Sequence, residues 1–258
     1  MHIRLYTLVI IFFAPYLYSS DFGTTGIIDL PSAWMMNDGV LTSSISRQKV
    51  ADIYNITYQA TPWLQTTFRY TIFNPDNPER NSLKIDGLND RSYSFKATLL
   101  KERNLTPEIA IGVKDALGTG AWASEYIVAS KKVNNFNISL GMGWGRLAER
   151  STFKNPLINF SDSFKIRGAF SPDVGGRQGG KTREKSFFKG QNVGVFGGID
   201  YRIPNSDLSF LVEYNTDSYE REILKGTIDD SSPINYGFKR RGLKNIDLGL
   251  SYQQGNQL

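Results

Sequence analysis

Read for hydrophobic and polar alternation, the chain is a succession of two-faced segments, and the clearest pair spans residues 52–73, DIYNITYQATPWLQTTFRYTIF. In its first arm Tyr54, Ile56, Tyr58 and Ala60 share one face, and Ile53, Asn55, Thr57 and Gln59 share the other. The second arm sets Leu64, Thr66, Phe68, Tyr70 and Ile72 against Gln65, Thr67, Arg69 and Thr71, with a Pro-centred turn between the arms. Successive strand side chains point to opposite faces, so this spacing predicts a hairpin with one apolar and one polar face. The same alternation returns at 40–48, 92–100, 107–115, 122–132, 136–147, 193–202, 208–215 and 246–253, and more weakly at 234–239. No stretch carries a convincing amphipathic helical period. The expectation is an all-β fold of about eleven strands.

Many of these segments run nine to eleven residues, the length a tilted strand needs to cross a bilayer, whereas strands of soluble sheets are nearer five or six. Their polar faces carry Gly, Ser, Asn and charged residues, which suits a wet interior. Tyr54, Tyr58, Tyr70, Trp63, Trp122, Trp144, Tyr201 and Tyr214 lie near strand ends, as interfacial aromatic girdles do. Short connections (61–63, 101–106, 133–135, 204–206, 241–244) alternate with longer ones (74–91, 116–121, 150–192, 216–233). The reading is an antiparallel up-and-down transmembrane β-barrel over residues 40–258. Residues 21–39 form an irregular periplasmic lead-in, and residues 149–192 contain a long external loop. Closed antiparallel meanders normally have an even strand count, so eleven strands predict an incomplete barrel with open edges near 40–48 and 246–253.

The first twenty residues have a cationic start at Arg4, an apolar run from Leu5 to Phe13 and the small residues Ser19 and Ser20, which read as a cleaved secretory signal over 1–20. The chain has no cysteine and one histidine, His2, which that signal would remove. Disulfides, thiolate and His metal sites and His-based catalytic triads are excluded from the mature chain, so no metal site, cofactor or His- or Cys-dependent catalytic residue is expected. The net charge of +5 is mild. It does not suggest nucleic-acid binding.

Candidate chemistry lies in two places. Arg69, Lys96, Lys114 and Glu125 fall on polar faces, where they either guide a polymer or form a charge ladder within the interior. The region 149–192 carries nine basic and four acidic residues, including Arg177, Lys181, Arg183 and Lys185. It is either a solvated loop or a contact for an acidic polymer. Within it, residues 157–170 carry Leu157, Ile158, Phe160, Phe164 and Ile166, which suggest a short helix folded into the interior. Asp115 with Gly118, Thr119 and Gly120 reads as a tight external turn, glycine supplying a positive φ.

Several stretches also resemble a known family: GTTGIIDLPSAW (23–34), TPWLQTTFRYT (61–71), GVKDALGTGAWASEYIVASKKVNNFNISLGMGWGRL (112–147) and GLSYQQGN (249–256). They are similar to the amino-terminal part of the YjbH/GfcD-type outer-membrane β-barrel proteins of exopolysaccharide and capsule operons. The resemblance covers most of the mature chain, and its middle run is specific. It implies a non-enzymatic scaffold or conduit for a bacterial surface polysaccharide in the outer membrane of a Gram-negative bacterium. It also implies periplasmic and lipoprotein partners from the same operon. Members are often lipoproteins and much longer. This chain has no cysteine to acylate, so lipid anchoring does not carry over. A general diffusion porin is the first alternative, and an outer-membrane enzyme using carboxylates is the second.

Overall fold

The computed structural model describes residues 19–48, 51–73, 89–168, 181–182, 184–224, 228, 231–243 and 246–254. Its first seven strands are β1 (Leu41–Arg47), β2 (Ala51–Thr61), β3 (Leu64–Phe73), β4 (Asn89–Leu100), β5 (Glu108–Gly118), β6 (Ser124–Val133) and β7 (Phe136–Gly145). Two short strands follow, β8 (Thr152–Lys154) and β9 (Lys181–Thr182). The last four are β10 (Asn192–Arg202), β11 (Leu208–Tyr214), β12 (Ile234–Leu243) and β13 (Ile246–Tyr252). They form one 13-stranded sheet in which each long strand pairs with the next, β7 passing directly to β10. The pairings are antiparallel, and the two short strands attach to β10 and β5. Every segment that alternates in the sequence is a strand. The fold is all-β, and no helix among the described residues is long and apolar enough to cross a membrane.

Burial along these strands is inverted relative to a water-soluble sheet. In β2 the polar Asn55, Thr57 and Gln59 are buried, Gln59 completely, while Tyr54, Ile56 and Tyr58 face outward. In β7 Asn137 and Ser139 are buried and Leu140 is 61% exposed. The outward face is an apolar and aromatic belt. It pairs Phe68 with Tyr93 at 5.2 Å, Phe136 with Tyr201 at 4.8 Å and Phe210 with Phe238 at 5.1 Å. Such cross-strand aromatic pairs contribute roughly 0.2–1 kcal/mol each.

The sheet curls but does not close. Among the described residues no ladder joins β1 to β13, the two ends of the strand order. Ten successive antiparallel pairings leave these edge strands pointing the same way. Just past their ends the Gln48 amide donates to Gln253 Oε1 at 3.3 Å, so the seam is narrow there.

The apolar core is not made by strands alone. One cluster joins Phe22 to Ile53, Phe73, Trp122, Tyr219 and Ile228, a second joins Leu30, Ala33 and Met35 to Tyr126, Val128, Leu147 and Phe196, and a third joins Ile27 and Ile28 to Leu211. Each contains residues from the stretch read in the sequence as a periplasmic lead-in. That stretch runs through the curve of the sheet, buried almost continuously from Ser20 to Met36. Ser20 and Asp21 already belong to it, their amides donating to the carbonyls of Thr24 and Ile28 at 2.7 Å.

Over 157–168, the described part of the expected 157–170 helix, no α-helix forms; residues 169–170 lie outside the described residues. Two 3-10 turns occupy Pro156–Asn159 and Asp162–Phe164, opened by the side chains of Asn155 and Ser161. Short polar caps that restart the turn after four residues prevent a continuous α-helical ladder. Phe160 and Ile166 point to the outside, 85% and 78% exposed, and only Ile158 is buried.

Inside the curve, glycine makes room for aromatic rings. The Phe196 ring on β10 lies where a Cβ at Gly141 on β7 would sit. Gly141→Val is expected to cost about 1–3 kcal/mol through overpacking. The measurement is the temperature at which the folded gel mobility or circular dichroism signal is lost; an unchanged transition would show that the ring has room to move.

Candidate functional site

The polar faces of β2 to β6, β11 and β12 converge on the main chain of residues 19–36. Gln65 and Gln59 accept the amides of Thr25 and Met36 at 3.1 and 3.0 Å, and Ser130 accepts that of Ala33 at 2.8 Å. Asn55 donates to Asp21 O at 2.9 Å and Thr57 to Gly23 O at 2.7 Å. Gly23 has φ +88°, and an ideal Cβ there would lie 2.7 Å from the Asn55 Cβ, so both backbone sign and space require glycine. The Lys96 ammonium donates to the carbonyls of Ser32 and Trp34 at 3.1 and 2.8 Å and to the Thr25 hydroxyl. Lys114 reaches Asp29 O at 3.1 Å, and Lys239 reaches Ser19 O and Ile27 O at 3.0 and 2.5 Å.

Glu213 is the acceptor that turns this segment. Its carboxylate takes the amides of Ile28, Asp29 and Leu30 at 3.0 to 3.2 Å and the side-chain amide of Asn235 at 2.9 Å. Three successive amides directed at one anion form a concave anion cradle. Beside it, the Asp29 carboxyl accepts from Tyr219 Oη at 2.9 Å, Asn215 Nδ2 at 3.3 Å and Gln48 Nε2 at 3.4 Å. Burial pushes Asp29 well above the ordinary carboxylate range. The neighbouring Asp21 and Glu213 add to that shift, and Lys114 and Tyr219 oppose it.

Connecting segments cover one end of the concavity. Gly145, at φ 66°, ends β7 and lets the turn Arg146–Ala148 aim Arg146 inward. Arg146 forms a two-toothed pair with Asp217 at 2.7 and 2.9 Å and another with Glu222 at 2.8 and 2.9 Å. Its guanidinium also lies 4.3 Å from the Trp122 ring centroid and 5.1 Å from that of Tyr219. Between these groups and Phe22, Asp29 and Lys114 remains a cavity of about 10 Å³, room for one water. The larger hollow, about 670 Å³, is an open depression at the turn Asn205, Ser206, Asp207 and Leu208 beside Arg240, away from this network.

Each of the four polar-face candidates is therefore engaged. Lys96 and Lys114 hold carbonyls of the internal segment. Arg69 is fully buried, pairs with Asp90 at 3.3 Å and lies over the rings of Phe22 and Trp122 at 5.2 and 6.0 Å. Glu125 holds Arg167 at 2.5 and 2.9 Å and accepts the Phe188 amide at 2.8 Å, tying the region 149–192 to the wall. Of the basic loop candidates, Arg177 and Arg183 lie outside the described residues. Lys181 pairs through its backbone with Gly118, and Lys185 is exposed. Of the residues expected in the tight turn, Asp115 (φ 53°) and Gly118 lie within β5, and the turn follows at Gly120 (φ 78°), with Asp115 accepting the Trp122 amide at 3.1 Å. No group of three or more His, Cys, Asp or Glu among the described residues could hold a metal. Alternation placed Glu213 on a polar face without naming it as a site residue. Asp29 lies in a segment with no period and Arg146 at the end of the alternating run 136–147, and only long-range contacts reveal them as site residues.

Asp29 sets a pH dependence whose sign is fixed. A carboxyl with a raised folded-state pKa contributes its full stability below the ordinary value of about 3.9, and that stability fades as pH rises through the folded-state value. The thermal midpoint of the purified protein is expected to fall as pH rises above about 4. Asp29→Asn is expected to flatten that slope; parallel profiles for the two proteins would remove Asp29 as its source.

A family model described as "Exopolysaccharide biosynthesis protein YbjH" matches residues 18–258. A curated relative, the "Uncharacterized lipoprotein YjbH" of Escherichia coli (strain K12), is 32% identical over 243 residues, covering 92% of this chain. The chain spans 33% of that relative's length. No solved structure matches it.

Proposed function

Because the chain belongs to the YjbH family of exopolysaccharide biosynthesis proteins, we propose that it is an outer-membrane scaffold for exopolysaccharide assembly or secretion. The observation that carries this reading is the inverted sheet, with its apolar belt outside and its buried polar wall inside. In water such a belt would be an aggregation surface, and in lipid it is the solvated face. The filled concavity favours scaffold over open channel and counts against a general diffusion porin. Export through a cleaved signal would bring the chain to the Gram-negative outer membrane, where periplasmic and lipoprotein partners of the same operon would meet it. The basic region 149–192 supports contact with an acidic surface polymer, an electrostatic attraction that salt weakens.

Two measurements test this. Leu140 on β7 and Leu105 in the turn between β4 and β5 are 61% and 95% exposed. If the belt meets hydrocarbon, Leu140→Arg costs about 2–4 kcal/mol and Leu105→Arg almost nothing. The destabilised variant should also leave the carbonate-resistant membrane fraction. Equal tolerance of both arginines, or recovery of monodisperse protein without detergent, would refute membrane insertion.

Deleting residues 171–186 is expected to lower the amount or chain length of surface polymer while leaving the protein folded. Unchanged polymer would leave the basic loop without a role in it.

A further inference from the structure

The wall inside the sheet binds something, and what it binds here is the chain itself. Residues 19–36 are held mainly by wall side chains gripping main-chain amides and carbonyls. The isolated bridges Ser19 to Thr25 and Gly26 to Pro31 lie within the segment and are not a ladder to the sheet. The gripping groups are hydroxyls, amides, ammoniums and a carboxylate, all of which remain well solvated if the segment withdraws. Water can replace the segment at these polar groups, while the apolar contacts of Phe22, Leu30 and Met35 with wall residues oppose its withdrawal.

The fit is also incomplete. Arg69 Nε and Nη1, Thr71 Oγ1, Ser92 Oγ, Asp115 Oδ1 and Trp122 Nε1 are buried without a hydrogen-bond partner. They lie on β3, β4, β5 and the following turn, and Arg69 and Trp122 stand within 5.2 Å of the Phe22 ring of the internal segment. Buried donors and acceptors are normally paired, so a row of unpaired ones indicates capacity for a ligand richer in hydroxyl groups than a peptide. Burial stops abruptly at Asn37, Asp38 and Gly39, which are exposed. Gly39 has φ +76° and nothing within 4 Å of an added Cβ, the properties of a hinge.

We propose that residues 21–36 are an autoinhibitory plug seated in a hydrophilic lane that accepts a saccharide chain, and that the segment swings out about Gly39 when the lane is used. Its seated form is the resting state. Phe22, Ile27, Ile28, Leu30 and Met35 anchor it, and Lys96 and Glu213 latch its main chain. The saccharide identity rests on the proposed role in exopolysaccharide assembly, while displaceability rests on the geometry alone.

The chain lacks cysteine, so engineered thiols report cleanly. Ala33→Cys places one on the plug, and Val193→Cys places one away from the lane, fully buried where β8 pairs with β10, as a report of global unfolding. The full chain in detergent is treated with a polyethylene-glycol maleimide, alone or with an acidic oligogalacturonate or neutral maltohexaose. Lys96→Met should speed labelling at position 33 by about tenfold while position 193 stays protected, the signature of local opening. Either saccharide should do the same in the otherwise unaltered protein. Labelling at 33 that always tracks labelling at 193 would overturn the plug, and failure of both saccharides to accelerate it would overturn the lane. Should Lys96→Met fail to fold, the pair Ala33→Cys and Ser130→Cys serves instead, since Ser130 Oγ lies 2.8 Å from the Ala33 amide. Oxidation should lock the plug and stop polymer secretion in cells, with reductant restoring it; secretion indifferent to the lock would overturn gating. Secretion that is unaffected by loss of the whole protein would remove the polysaccharide role without touching the labelling result.

Discussion

Everything inside this molecule depends on satisfying a polar wall that is shut away from water. Lys96, Lys114, Glu213, Gln59 and Asn55 are buried, and an unpaired buried polar group costs about 1–3 kcal/mol, more if charged. The wall solves this by treating the chain's own backbone as solvent. Glu213 alone satisfies three amides that have no strand partner, and Lys96 reaches two carbonyls and a hydroxyl from a single atom. The irregular shape of residues 19–36 follows from this. A regular strand would pair its amides with a neighbour and leave the wall unsatisfied.

That arrangement explains what could and could not be read from the sequence. Strands have a period of two that is local, so the alternation at 52–73 or 136–147 already separates the face carrying Asn55 and Thr57 from the face carrying Tyr54 and Leu140. Even the weak segment at 234–239 is a strand, extended to Leu243 by pairing with both neighbours. Strand order and the open edges follow from counting the same segments. The internal segment has no period, and its Gly, Pro and Asp residues look like those of any loop. Its place is fixed by contacts with residues up to 232 positions away, as between Asp21 and Gln253. The polar-face charges were visible, but their partners were not: alternation tells which way Lys96 points and says nothing of what waits there. Residues 157–170 misled because apolar content alone suggested a helix, while Asn155 and Ser161 each restart the turn.

The charge distribution divides the molecule by depth. Midway along the concavity, charged side chains serve the backbone of the internal segment. At the covered end they serve each other, through Arg146 with Asp217 and Glu222 and through Glu125 with Arg167. Arg146 draws together the turn after β7 and the segment before β12, and the rings of Trp122 and Tyr219 shield it from solvent. This end is a cover whose parts come from well-separated stretches of chain. It accords with a scaffold more readily than with a permanently open pore.

Asp21 joins these themes at the seam. Its carboxylate accepts from Ser46 at 3.1 Å and Gln48 at 3.0 Å, at the end of β1, and from Gln253 at 2.7 Å, just after β13. The edge strands share no ladder, and a single side chain of the internal segment clasps them both. Sheet curvature and interior occupancy are thereby one thermodynamic variable. Whatever extracts the segment also unclasps the wall, and whatever docks along the wall's free edges alters how firmly the segment sits. Linkage makes the two influences equal in magnitude. An encounter at the sheet's open edges can in this way govern what occupies its interior.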